Sequence, residues 1–229
     1  MTIERPILFS TPMVQAILDN QKTQTRRIIN PQPKALDMPL PMPIDQAAVF
    51  LKQASKDGYT NLFSSGPLKG LAGPACRYGQ VGDILWVRET WCKFVDHHAT
   101  KDQQYAYKAD CGSAGEDARQ DYIKAGWPYQ WRPSIHMPKA AARIFLQITD
   151  VRAERLQMIS TEDVYAEGVG GNYGESGKRL GFDGQPHEWD NMNAQESFQW
   201  IWAKINGSES WESNPFVWVV SFSRIDKKP

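Results

Sequence analysis

Apolar residues fall in short runs of two different periods, and the periods divide the chain into strands and helices. Ile7-Leu8-Phe9 is a brief strand that stops at a helix start, with Thr11 as N-cap and Pro12 at the first helical position. Met13, Ile17 and either Ala16 or Leu18 then share one face of a short helix. Asn20, a residue type that tolerates positive φ, ends it. Residues 23–29 form the next expected strand, closed by Pro31 and Pro33. Gly82-Asp83 turns into the apolar strand Ile84–Val87, and Tyr105–Lys108 is expected to pair with it. Along Arg143–Val151, Ile144, Leu146 and Ile148 alternate with polar positions, which suits a half-buried strand. Ser160 or Thr161 caps a helix that carries Val164 and ends at Glu167, before Gly168. Ala194–Ile205 has helical spacing through Phe198, Ile201, Trp202 and Ile205, and Phe216–Phe222 is the last apolar strand.

Between these elements the pattern breaks twice. The stretch PQPKALDMPLPMPIDQ cannot continue either regular structure. With a short helix around Gln46–Ala54 and a Gly/Pro-rich passage to Gly79, it makes an insertion at about 34–75, read as a surface excursion or lid. A modest helix at Glu116–Ala125 precedes a Pro- and Trp-rich connection, Trp127–Pro138. Residues 170–187 are rich in Gly without apolar periodicity and form a second loop insertion. GVGGNYGESG, which runs into it from Gly168, lacks the Gly-Lys-Ser/Thr ending of a phosphate loop. Several short strands, few helices and long loops predict an α+β fold: a small, partly open β-barrel with helices packed outside, in one domain over residues 1–229.

Composition narrows the class. Lys plus Arg and Asp plus Glu both number 26, so the formal net charge is zero. Binding to duplex nucleic acid by overall phosphate neutralisation would need a more basic chain. Cys76, Cys92 and Cys111 are an odd number without CxxC spacing, which argues against a disulfide framework. The segment MTIERPILFSTP lacks the basic and apolar regions of a signal peptide, and no stretch approaches the roughly 18 apolar residues of a membrane span. The expected setting is the cytoplasm, with no membrane partner. Nine Trp, eight Tyr and nine Phe fill strands and core, leaving a few to line a pocket for a planar ligand.

The candidate chemistry lies in Lys22-Thr23-Gln24-Thr25-Arg26-Arg27, just after the first helix. By spacing alone this is a solvated polar strand edge. Thr is a poor nucleophile until a neighbouring base takes its proton. A Lys serves as that base when burial or a nearby cation lowers its pKa, and Arg26 and Arg27 are adjacent cations. Residues three apart in a regular strand point to opposite faces, so Lys22 and Thr25 converge only across a turn or bulge.

The segment NQKTQTRR resembles the GxKxxExR motif of ASCH domains, relatives of the PUA RNA-binding fold. Lys22 and Arg27 match, Asn20 stands in the Gly position, and Thr25 replaces the acidic residue. Thr at that place looks like the ASCH subgroup of small amidohydrolases that deacylate N4-acetylcytidine through a Lys–Thr–Glu triad. GDILWVRETW resembles the fold's second strand, and NPFVWVVSF its closing strand. The run from Leu156 to Gly168 resembles the helix that supplies the family's acidic residue, which falls on Glu167. Chains with these phrases, RPSIHMPK included, look like phage or prophage proteins. The resemblance implies Lys22, Thr25 and Glu167 as catalytic residues, no cofactor, and a modified pyrimidine nucleoside or base as substrate. Its PUA kinship equally implies a module that binds a base in single-stranded RNA or DNA without turnover. A phage accessory protein that binds a host partner through residues 34–75 is a third expectation.

Other side chains compete for roles. Glu89 is a rival acidic partner, or else forms an ion pair with Arg88 or another cation. Trp91 is placed to stack on a base, Arg88 to bind a phosphate or carbonyl oxygen, and Arg26 and Arg27 to bind substrate. His97 and His98 with Cys92 and Cys111 lack the spacing of a zinc site, so no metal is expected. His136 lies in a rigid Pro-flanked segment and is assigned a structural hydrogen bond.

Overall fold

Ten strands and four helices emerge in the computed structural model, which describes residues 2–35, 61–62, 71–93, 105–110, 130–169 and 192–226. The expected helices at 46–54 and 116–125, most of the 34–75 insertion and the whole 170–187 loop lie outside the described residues. So do His97, His98 and Cys111.

The N-terminal hairpin of elements sets the frame. Strand β1 (Glu4–Leu8) runs into helix α1 (Thr11–Leu18), whose N-cap is Ser10, one residue before the expected Thr11. Pro in the first turn costs nothing there, because its missing N–H has no intrahelical partner. The helix buries Val14, Ala16 and Ile17. Asn20 then adopts φ 57°, the left-handed turn expected of it. This turn folds the N–H groups of Gln21 and Lys22 back onto Ala16 O, at 2.8 and 3.0 Å. The chain is thereby reversed abruptly, and Lys22 enters the interior just ahead of β2 (Gln24–Ile28).

Short strands follow: β3 (Lys34–Ala35), β4 (Asn61–Leu62) and β5 (Leu71–Gly73) make a small sheet of their own. Next come β6 (Ile84–Arg88), β7 (Trp91–Lys93) and β8 (Tyr105–Tyr107). Here the pairing differs from expectation: β8 pairs with β7. Both sides of β6 are already occupied, by β1 in parallel and β9 (Phe145–Arg155) antiparallel. Helices α2 (Thr161–Ala166), α3 (Ala194–Asn206) and α4 (Ser208–Glu212) precede the last strand, β10 (Phe216–Ile225).

The main sheet has the order β1-β6-β9-β10-β2, parallel between β1 and β6 and antiparallel elsewhere. One face packs a core containing Ile7, Leu85, Val87, Leu146, Ile148, Val220 and Phe222. The opposite face packs Val217 and Val219 against Phe198, Ile201 and Trp202 of α3 and Val164 of α2. Residues Phe216–Val220 are therefore buried in succession rather than alternately, which explains an apolar run without period two. The fold is α+β. Among the described residues the sheet is open, with β1 and β2 at its edges. Helix α1 connects these edges, and Arg27 Nη2 spans them by donating to Leu8 O at 2.7 Å.

Candidate functional site

Two elements bring the candidate residues together. Helix α2 begins at Ser160, whose hydroxyl accepts from Asp163 N–H at 3.2 Å, and ends with Glu167 at its C-cap. Lys22 forms an isolated bridge with Glu167 across the chain. Its ammonium donates to Glu167 Oε2 at 2.6 Å and to Glu167 O at 2.9 Å. A cation at a helix C-terminus meets carbonyls without intrahelical partners and the negative end of the peptide dipoles. The Lys22 side chain is 0% exposed and that of Glu167 6%. Burial pushes the Lys22 ammonium below its ordinary pKa of 10.5, and Arg27 and Arg26 add to that. The Glu167 carboxylate pulls the other way, but burial prevails.

Between the Lys22 bridge and β2 stands Thr23, which belongs to no strand. Thr23 N–H donates to Ala166 O while Thr23 O accepts from Phe222 N–H, both at 2.8 Å. One residue thus ties α2 to the sheet. Beyond this point β2 is regular. Thr25 lies opposite Val220 and Arg27 opposite Trp218, both members of the core that contains Phe9 and Phe222. Arg26 lies opposite Val219, on the helix-covered face. Residues directly across an antiparallel pair share a face, so Thr25 and Arg27 point one way and Arg26 the other. The Lys22 ammonium and the Arg27 guanidinium both lie over the Phe9 ring, at 5.9 and 5.3 Å from its centroid.

Arg26 is the hub of a buried ion network. Its Nη2 donates to Glu154 Oε1 at 2.6 Å and Asp163 Oδ2 at 2.7 Å, and its Nη1 to Glu167 Oε1 at 3.3 Å. Arg152 donates to the same Asp163 oxygen at 2.6 Å, and Gln24 Nε2 to Asp163 Oδ1 at 3.1 Å. These partners hold the Asp163 carboxyl below the usual carboxylate range, despite partial burial. Besides the substrate contact expected of it, Arg26 thus holds Glu167 by the carboxylate oxygen that Lys22 does not take.

A cleft of about 160 Å³ opens along β2. Its polar side is formed by Thr25, Arg26, Arg27 and Glu167, and its apolar side by Phe198, Ile201 and Trp202 of α3 with Met13 and Tyr78. Thr25 and Glu167 share this cavity, and Lys22 is joined to it through its bond to Glu167. Ile205, expected on the buried face of α3, is 57% exposed at its rim.

Arg88, Glu89 and Trp91 do not join this cavity, contrary to the substrate-binding role expected of them. Arg88 Nη2 donates to Ile135 O, and its guanidinium lies over Trp86. Glu89, 1% exposed, pairs with Arg143 through bonds of 2.9 and 3.1 Å rather than with Arg88, and burial raises its carboxyl pKa. Trp91 is buried against Met137, Ala141 and Phe145. His136 is exposed. Sequence reasoning missed Asp163, Glu154 and Arg152. The one available signal was the alternation of charge in Arg152-Ala153-Glu154-Arg155, which puts Arg152 and Glu154 on one strand face.

Compared with protein-family models, curated proteins and solved structures, the chain matches none. What the coordinates define is an α+β protein with a lysine–carboxylate pair buried beside a small amphipathic cleft. No helix among the described residues is long and apolar enough to cross a membrane.

Proposed function

We propose that the chain is an ASCH-type amidohydrolase that removes an acyl group from N4-acylated cytidine or a related pyrimidine, using Lys22, Thr25 and Glu167. The observation that carries this reading is the buried Lys22–Glu167 pair, 2.6 Å apart, beside a cleft that Thr25 also lines. A PUA-like assignment is supported by the mixed five-stranded sheet with α1 joining its two edge strands.

The chemistry follows from the environment. Burial favours the neutral Lys22 amine, the form able to take the Thr25 hydroxyl proton. Thr25 Oγ1 then bonds to the acyl carbon, and the C–N bond breaks as the Lys22 ammonium returns the proton to the departing amine. Glu167 holds the ammonium in place throughout. Water cleaves the Thr25 ester by the same route, with Lys22 as base. In the variant mechanism Lys22 and Glu167 activate water directly and Thr25 only orients the substrate. An acyl adduct on Thr25, seen by mass spectrometry after rapid quenching, separates the two.

The test is hydrolysis of N4-acetylcytidine by the wild type and by Lys22→Ala, Thr25→Ala and Glu167→Ala. Activity that survives all three changes sinks the assignment. A second reading, a base-binding module without turnover, draws on the aromatic wall that Trp202 and Tyr78 give the cleft. Salt-sensitive binding of single-stranded oligonucleotides, with no product formed, favours it.

A further inference from the structure

Amide hydrolysis at Thr25 generates a negative oxygen on the acyl carbon, and a donor must face it. The three cations around Thr25 are not equivalent in this respect. Lys22 is committed to Glu167. Arg26 points to the helix-covered face and is neutralised by Glu154, Asp163 and Glu167. Arg27 differs on both counts.

Arg27 lies two residues from Thr25 on the same face of β2, and both line the cleft. One of its three nitrogens is engaged: Nη2 donates to Leu8 O at 2.7 Å. Its Nε is buried without a hydrogen-bond partner, and no carboxylate among the described residues pairs with the guanidinium. The Arg26 Nε is unpartnered in the same way, so what sets Arg27 apart is a guanidinium that no carboxylate among the described residues neutralises, left able to take a ligand oxygen. The Leu8 carbonyl and the Phe9 ring hold the guanidinium in place before any substrate arrives. Such preorganisation is what makes an electrostatic contact effective in a transition state.

We propose that Arg27 is a catalytic residue that polarises the acyl carbonyl and receives the charge of the tetrahedral intermediate. The role rests on the amidohydrolase reading of the Lys22–Thr25–Glu167 site. When Thr25 Oγ1 bonds to the acyl carbon, the carbonyl π pair moves onto oxygen, opposite the Arg27 N–H donors. That pair returns as the C–N bond breaks, and the proton taken by Lys22 leaves with the amine. The acceptor class is therefore the oxygen of a planar acyl-amide, with the Phe198–Trp202 wall taking the apolar remainder of the substrate.

The experiment compares wild type, Arg27→Gln and Arg27→Lys on N4-acetylcytidine across pH, with folding checked by thermal denaturation. Arg27→Gln is expected to lower plateau kcat by about 100- to 1000-fold, with KM changed less than about 3-fold and Arg27→Lys between the two. Guanidinium ion added to Arg27→Ala should restore part of the rate, and none to Thr25→Ala. If Arg27 acted only by tuning Lys22, Arg27→Gln would move the acid limb to higher pH and regain the full plateau, which overturns the proposal. A loss confined to KM overturns it too. A wild type without turnover overturns this role together with the reading beneath it.

Discussion

At the residue scale, the proposed amidohydrolase reading turns on the protonation of Lys22. Its folded pKa lies below 10.5, so the neutral base forms as pH rises through that lowered value. We expect kcat/KM to climb with pH along an acid limb and level off before the ordinary lysine range, measured as initial rates over a pH series. Linkage has the same sign. The folded state binds fewer protons than the unfolded one between the lowered pKa and 10.5, so this group's stability contribution is lost as pH falls through that window. Lys22→Met replaces the buried ammonium by an apolar chain of similar length. It should reduce kcat by about 10²- to 10⁴-fold while the protein stays folded, since Glu167 keeps its Arg26 contact. Thr25→Ala should abolish turnover and cost only about 1 kcal/mol of stability.

At the element scale, local chemistry was readable and pairing was not. Asn20 at φ 57°, the Ser160 cap and Glu167 at the end of α2 each follow from a few neighbouring residues, which is why the sequence placed them. The partner of β8 depended on β6 being enclosed by β1 and β9, a fact that no local pattern carries. Glu89 found Arg143, 54 positions away, rather than the adjacent Arg88, for the same reason. Lys22 and Glu167 are 145 positions apart, and only the family resemblance joined them beforehand. The support beneath that pair stayed hidden because Asp163 reads locally as a first-turn acid of α2. Its structural weight is testable. Asp163→Ala leaves the buried Arg26 short of one partner and should destabilise by about 3–5 kcal/mol, read by urea unfolding. Ser160→Ala removes the cap alone and should cost about 1 kcal/mol.

Over the whole molecule, two cores on opposite faces of one sheet divide the labour. The core around Ile7, Leu146 and Phe222 fixes Phe9 and thus the setting of Lys22 and Arg27. The core beneath α3 supplies the apolar wall of the cleft. A third cluster around Trp91 and Phe145, with the Glu89–Arg143 pair, lies away from the cleft and serves stability. Glu89→Ala should therefore lower stability by about 1–3 kcal/mol and leave kcat unchanged, a contrast with every change at β2. The outline of strands and helices was legible because burial on one face or both leaves a mark in sequence. The cleft was not, because Met13, Phe198, Ile201 and Trp202 look alike whether they fill a core or line a cavity.

The most direct measurement is the release of cytidine from N4-acetylcytidine by wild-type protein beside Thr25→Ala and Lys22→Met, followed by chromatography at matched concentration. The account predicts steady turnover by the wild type, none above background by Thr25→Ala and a rate lowered about 10²- to 10⁴-fold by Lys22→Met, with all three folded. Equal rates in the wild type and Thr25→Ala, or a folded wild type that releases no cytidine, would contradict it.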